Sequence, residues 1–329
     1  ISPPERTTER FPADSQLDPD GDGLTSLAEF QTFTSPRDPQ DCLRIATVSG
    51  APNQFQIRFQ AAPNVSYAVE YRTALSRDTV WHRLAEFDPG LTYYATNYPA
   101  WAPPSTIGTS IENRPIKMLR ITGPGSTTNR PAIVVQANQH AREWITPHAA
   151  MYFIDRFCET YATDNRIKRI VDNIDLHFII TANPDGYAYS HDANHPSWRK
   201  NRRANVGGTC AGTFGVDLNR NYSYQWGYDN VGSSPLTGDL TYRGPSAFSE
   251  PETQALRDFC ADHEITSWLS FHTSGELLLY PWGYVPQFTP DQKLFGTLGA
   301  EMAAGTGYLV GNPALGAIYL TNGDSDDWA

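Results

Sequence analysis

Apolar and polar residues follow two different rhythms along this chain. In Gln54-Phe55-Gln56-Ile57-Arg58-Phe59, and again in Tyr67-Ala68-Val69-Glu70-Tyr71-Arg72, they alternate one by one. That is the period of a strand with one buried face. Pro63-Asn64 stands between the two runs as a turn. From roughly residue 105 the texture changes. Short unbroken apolar runs at Ile133-Val134-Val135, Leu176 to Ile180 and Trp268 to Phe271 predict buried strands. Between them Ile154, Phe157, Cys158 and Tyr161 recur at helical spacing, and residues 290 to 303 also read as helix. Thr146-Pro147 predicts a helix start, with Thr as N-cap and Pro in the first turn. Ser249-Glu250-Pro251-Glu252 predicts another through a capping box. Strand–helix alternation sustained to the end of the chain implies an α/β domain with helices on both faces of its sheet.

These textures divide the 329 residues into three parts. Residues 1–40 are rich in Asp and Pro, residues 41–95 form a small all-β module, and the α/β domain occupies residues 100–329. The net charge of −11 argues against nucleic acid as a partner. The chain has no run of 18 apolar residues, so no membrane span is expected. Four cysteines, Cys42, Cys158, Cys210 and Cys260, are too few and too scattered for a disulfide scaffold. Cys158 and Cys260 fall in apolar helical patterns and read as buried thiols.

Two groups of residues carry candidate chemistry. Asp18-Pro19-Asp20-Gly21-Asp22-Gly23, followed by Glu29, has the spacing of a calcium loop. Asp18, Asp20 and Asp22 would supply carboxylates, Leu24 its carbonyl and Glu29 the closing ligand, with Gly23 at the sharp turn. This segment serves as a calcium-loop linker with a structural role. The second group is His140-Ala141-Arg142-Glu143, which follows one apolar strand, together with His272, which follows another. Ligands in α/β folds collect at the carboxyl ends of strands. Two histidines and a carboxylate make the three-ligand set of a catalytic zinc. The other histidines, His82, His148, His177, His191, His195 and His263, read as surface or satisfied core residues.

The zinc set has company in the sequence. Gln139-His140-Ala141-Arg142-Glu143-Trp144, Asn183-Pro184-Asp185-Gly186-Tyr187, Trp198-Arg199-Lys200-Asn201-Arg202, Gly215-Val216-Asp217-Leu218-Asn219-Arg220-Asn221, Leu269-Ser270-Phe271-His272 and Gly323-Asp324-Ser325-Asp326-Asp327-Trp328 occur in that order. Together they resemble the funnelin (M14) zinc metallocarboxypeptidases of the A, B and T type. The resemblance implies a mixed-sheet, carboxypeptidase-type (phosphorylase/hydrolase-like) fold. It implies Zn2+ on His140, Glu143 and His272, with Asp217 behind His140. Arg199 would stabilise an oxyanion, and Tyr319 would close over the substrate. Asn219 and Arg220 would bind the terminal carboxylate, Arg142 the outer subsites, and Asp326 a Lys or Arg side chain at the pocket base. The implied activity is removal of C-terminal residues, Lys or Arg alone or mixed with others, from peptides or proteins. The implied form is a monomer, and its setting is extracellular or periplasmic, inferred from the family and the calcium loop.

The resemblance also implies a general-base glutamate roughly a dozen residues beyond Asp327. The chain ends at Ala329, so the expectation is a segment of an active enzyme. The alternatives are a non-catalytic peptide-binding relative and a different metallohydrolase on the same fold, an aminoacylase or murein peptidase.

Overall fold

The computed structural model describes side chains for residues 104–329 apart from 124–129, 192–193 and 206–212, and backbone alone for four strands between residues 45 and 87. The calcium-loop residues Asp18, Asp20, Asp22, Leu24 and Glu29, together with Cys42 and Cys210, lie outside the described residues. Two compact units divide the chain, residues 1–97 and 98–329. In the first, β1 (Ile45–Ala51) pairs antiparallel with β2 (Gln54–Phe59), and β3 (Tyr67–Tyr71) pairs antiparallel with β4 (His82–Phe87). The two alternating segments of the sequence are β2 and β3.

The second unit is built on a five-stranded mixed sheet in the order β5-β6-β8-β7-β9. β5 (Pro104–Thr109), β6 (Pro115–Ile121) and β8 (Asp175–Ile179) pair antiparallel in sequence. β8, β7 (Ala132–Ala137) and β9 (Ile265–Phe271) run parallel. All five β8 residues are buried, as expected of an apolar run between helical layers.

The register sorts the side chains. Val134 lies opposite His177 and Gln136 opposite Ile179, while Met118 lies opposite Ile179, so these residues share one face. That face packs against α4 (Pro251–Ala261) through Ala255, Leu256 and Phe259, with Tyr222 and Ile116 in the same buried cluster. The other face carries Phe178 and Phe271. It meets α1 (Ile145–Thr160), where Phe157 packs on Phe178 and Phe153 on Phe271. Helices therefore cover both faces of the sheet. The remaining elements are α2 (Asn165–Asn173), α3 (Pro184–Ser190), a parallel pair β10 (Leu277–Leu279) and β11 (Leu309–Gly311), α5 (Gln292–Ala303), and the short α6 (Ser325–Trp328). No helix among the described residues is long and apolar enough to cross a membrane.

Two predicted caps are replaced. α1 has Trp144 in the cap position with no side-chain cap. Thr146 instead donates its hydroxyl to the Glu143 carbonyl and accepts from the Asn138 amide. α4 begins after Glu250 with Pro251 in its first turn, again without a side-chain cap. The Ser249 hydroxyl donates to Glu250 Oε1, while the Glu252 carboxylate accepts from the Ile111 amide and from Asn201. At Thr146 a neighbouring turn took the hydroxyl, and at Ser249 the hydroxyl also accepts from the distant Asn221 Nδ2, so neither serves as the cap that the local pattern assigned.

His177 also departs from expectation. It is 2% exposed and packs against Phe259 and His263, and neither ring nitrogen has a hydrogen-bond partner among the described residues. Burial pushes its pKa down to about 4, so it is a neutral ring in an apolar slot. Cys158 is buried, and Cys260 is half-buried against the α4 core. Burial pushes both thiols up to about 12, which leaves them protonated and unreactive.

Candidate active site

The parallel strands β7, β8 and β9 end on one edge of the sheet, and the zinc candidates sit just past two of those ends. Asn138, immediately after β7, takes a left-handed conformation (φ 56°). Short amides tolerate this because they bond locally; here Nδ2 donates to the carbonyls of His140 and Ala141. The tight turn that follows, closed by the Glu143 amide on the His140 carbonyl at 3.1 Å, brings His140 and Glu143 side by side. His272 is the first residue after β9.

The three side chains converge. His140 Nδ1 lies 2.8 Å from Glu143 Oε1, His272 Nδ1 lies 3.0 Å from Glu143 Oε2, and the two Nδ1 atoms are 3.1 Å apart. Among the described residues this is the one cluster of three ligand-type side chains close enough to share an ion. Ligands about 2.0–2.1 Å from a tetrahedral zinc stand roughly 3.3 Å from one another, so this donor set fits zinc in both chemistry and spacing. Burial works against charge on Glu143, but hydrogen bonds from His140 and His272 outweigh it and hold the carboxyl below the usual range. Burial and the Arg199 charge push His140 down. Both shifts leave these side chains in the states that bind metal.

Asp217 lies behind His140, with Oδ1 3.3 Å from His140 Nε2. Its stronger partner is Arg199, whose Nε and Nη2 donate to Oδ2 at 3.0 and 2.8 Å. Asp217 is fully buried. Burial disfavours its charge, yet Arg199 and His140 hold its pKa far below the normal carboxylate value. One carboxylate therefore lies against both His140 and Arg199, and Arg199 Nη1 makes no hydrogen bond among the described residues.

Arg220 is 1% exposed. Its Nε donates to the Gly232 carbonyl at 2.8 Å and its Nη1 to the Asn219 carbonyl at 2.5 Å. No carboxylate of the described residues forms an ion pair with it. Asn219 Oδ1 accepts from the amide and the hydroxyl of Ser325, which leaves its NH2 group as a donor. Asp326 is half-buried, and burial together with neighbouring Asp324 pushes its carboxyl up. Asp324 is occupied by structure: it caps α6 through the Asp327 amide and accepts from the Thr321 hydroxyl. Asp327 accepts from the amides of Gly283 and Tyr284. Tyr319 is 64% exposed, and Arg142 is exposed with Nη1 3.5 Å from the Ser197 carbonyl.

With this geometry in place, the comparisons with known proteins are decisive. A family model described as zinc carboxypeptidase matches residues 91–329. The chain belongs to the zinc carboxypeptidase family. Carboxypeptidase A1 of Bos taurus is 35% identical over 256 residues, covering 76% of this chain and 59% of that protein. Carboxypeptidase B of Astacus astacus is 34% identical over 259 residues, covering 76% of this chain and 82% of that protein. The crystal structure of carboxypeptidase A from Helicoverpa armigera superposes with a TM-score of 0.66 at 31% identity, covering 73% of this chain and 59% of that one. The chain thus spans about three fifths of the length of several curated relatives.

Asn138, Gln139, Ser270 and Ser325 lie at the site without a role assigned from sequence. Gln139 was visible as the first residue of the Gln139–Trp144 motif and as an amide three residues after Gln136.

Proposed function

We propose that the protein is a zinc-dependent carboxypeptidase that removes C-terminal residues from peptides, with preference for Lys and Arg. The observation that carries this reading is Arg220, a buried guanidinium with no carboxylate partner among the described residues, in the same unit as the metal triad. A buried cation with no anion in direct contact is costly, and a terminal carboxylate is the partner its planar fork matches. The NH2 group of Asn219 adds a second donor.

Zn2+ held by His140, Glu143 and His272 would activate water and polarise the scissile carbonyl. Arg199, held from behind by Asp217, presents Nη1 to the developing oxyanion. Asp326 meets the cationic side chain of the departing residue, and an apolar side chain would leave that carboxylate unpaired. Tyr319 and Arg142 lie on exposed positions suited to closing the site and reading outer subsites. From the family resemblance we also infer a monomer and, with the calcium-type loop, an extracellular or periplasmic setting, with Ca2+ on Asp18, Asp20, Asp22, Leu24 and Glu29. A calcium-dependent rise in melting temperature, lost in Asp20→Ala, tests that loop.

A second reading is a protein that binds peptide C-termini without cleaving them. One observation favours it: among the described residues, no carboxylate besides Glu143 belongs to the metal cluster. Peptides ending in Arg, Lys or Phe, each as free acid and as amide, separate these cases. Cleavage of the free acids is expected, with Arg and Lys ahead of Phe. Equal cleavage of amides removes the role of Arg220, preference for Phe removes that of Asp326, and binding without cleavage favours the second reading.

A further inference from the structure

Gln139 lies between β7 and the metal ligands and is 1% exposed. The two N–H groups on its Nε2 are shared among three acceptors, Gln136 Oε1 at 2.8 Å, Ser325 Oγ at 3.0 Å and Ser270 Oγ at 3.2 Å, while its Oε1 has no hydrogen-bond partner among the described residues. Gln136 turns its own NH2 group to the Tyr222 hydroxyl, so its oxygen faces Gln139 and sets the orientation of both amides.

The two serines lead to different parts of the site. Ser270 Oγ lies 3.1 Å from His272 Nε2. A His272 whose Nδ1 faces a metal carries its proton on Nε2, and Ser270 is the acceptor for that proton. Ser325 donates its amide and its hydroxyl to Asn219 Oδ1 at 2.9 and 3.1 Å. Asn219 in turn accepts on its backbone carbonyl from Arg220. One buried amide thus joins residues distant in sequence: the third metal ligand on one side and the carboxylate-binding pair on the other.

We propose that Gln139 is a positioning residue that holds His272, through Ser270, and Asn219, through Ser325, in a shared arrangement, so that the metal site and the carboxylate site depend on the same amide. The proposal rests on the reading of Asn219 and Arg220 as the carboxylate site. An aliphatic side chain at position 139 would fill the space but leave both hydroxyls without their common donor. Each hydroxyl that loses its donor in a buried site is penalised.

The test uses two binding measurements that need no turnover. Zinc affinity is measured by chelator competition in the absence of substrate. Carboxylate binding is measured by calorimetry with acetyl-arginine, and acetyl-arginine amide serves as control. Gln139→Leu should weaken zinc by about 10-fold, the low end for outer partners of metal-bound histidine, and should weaken acetyl-arginine by several-fold. Ser270→Ala should act mainly on zinc and Ser325→Ala mainly on acetyl-arginine. In the Gln139→Leu background each serine change should add less than it does in the wild type, since contacting residues are non-additive.

If Gln139→Leu does not fold, the Ser270→Ala/Ser325→Ala double variant reads the same link. Shared positioning gives a zinc affinity that departs from the product of the single effects by more than about threefold. A folded Gln139→Leu protein with both affinities within twofold of wild type would overturn the proposal, as would strict additivity of the serine changes. Wild-type protein that does not distinguish acetyl-arginine from its amide would instead overturn the carboxylate-site reading. That failure is separate, because the zinc arm does not depend on it.

Discussion

Replacing Asp217 with Asn tests the geometry at its most constrained point. Every group around this carboxylate is a donor: Arg199 Nε and Nη2 on Oδ2, the Asn219 amide at 3.1 Å on Oδ1, and His140 Nε2 at 3.3 Å from Oδ1. An asparagine of the same shape can accept on one side only. If its oxygen faces Asn219 and His140, the NH2 group opposes two guanidinium donors and Arg199 becomes a buried unpaired cation. Breaking such a pair costs about 3–5 kcal/mol. If its oxygen faces Arg199, the NH2 group donates to His140 Nε2. The histidine proton then moves to Nδ1, where it blocks the metal, and loss of such a partner typically weakens metal by about 10–100-fold. Asp217→Asn should therefore lower zinc affinity at least about 10-fold, or lower stability by about 3 kcal/mol, which is roughly 6–12 °C in melting temperature for a domain of this size. Chelator competition and thermal denaturation of the zinc-loaded protein measure the two quantities. Zinc affinity within threefold of wild type, together with a melting temperature within about 2 °C, would refute the reasoning.

Other expectations follow from the same groups. Arg220→Met should raise KM for a free-carboxylate peptide by about 30-fold or more, from a loss of at least about 2 kcal/mol, and should leave the weak binding of the amide unchanged. Asp326 has a raised pKa from burial and Asp324, and only its ionised form attracts a cation. KM for a C-terminal Arg should therefore increase as pH falls through that raised value, KM for a C-terminal Phe should not follow it, and Asp326→Ala should erase the difference. Glu252 is fully buried between Ile111 and Asn201, and burial pushes its pKa up from the ordinary glutamate value to about 7. A folded-state pKa above the unfolded one gives stability that is present below about pH 4.5 and is lost as pH rises through 7. The stability difference between wild type and Glu252→Gln should thus shift against wild type by about 3 kcal/mol from pH 4.5 to 7.5 in urea titrations, and a flat difference would contradict the assignment.

Much of this site was legible in the sequence because its backbone logic is local. Apolar runs marked β7, β8 and β9, and ligands placed directly after two of them had to share the edge where parallel strands end. His140, Glu143 and His272 meet there. What the sequence could not show were partners chosen across long separations. Ser249 carries good cap chemistry, yet its hydroxyl accepts from the distant Asn221, while Thr146 serves the nearby Asn138 turn instead of a cap. Asp217 could be placed behind His140 by resemblance, but its shorter bonds to Arg199 depend on two loops packing together. His177 looked like a surface or satisfied histidine. Its position in β8, facing α4, buries it among rings where no donor or acceptor reaches it. Gln139 was part of a quoted motif without a role, because nothing in the chain order says that Ser270 and Ser325 will stand on either side of it.

The central claim is that the metal triad and Arg220 together release a residue that carries a free carboxylate. The most direct measurement is release of arginine from hippuryl-arginine by the full-length protein, loaded with one zinc, then treated with chelator, then given zinc again. The account predicts release that stops with chelator and returns with zinc, with hippuryl-arginine amide left intact throughout. Release that persists without metal, no release with zinc bound, or equal cleavage of the amide would contradict it.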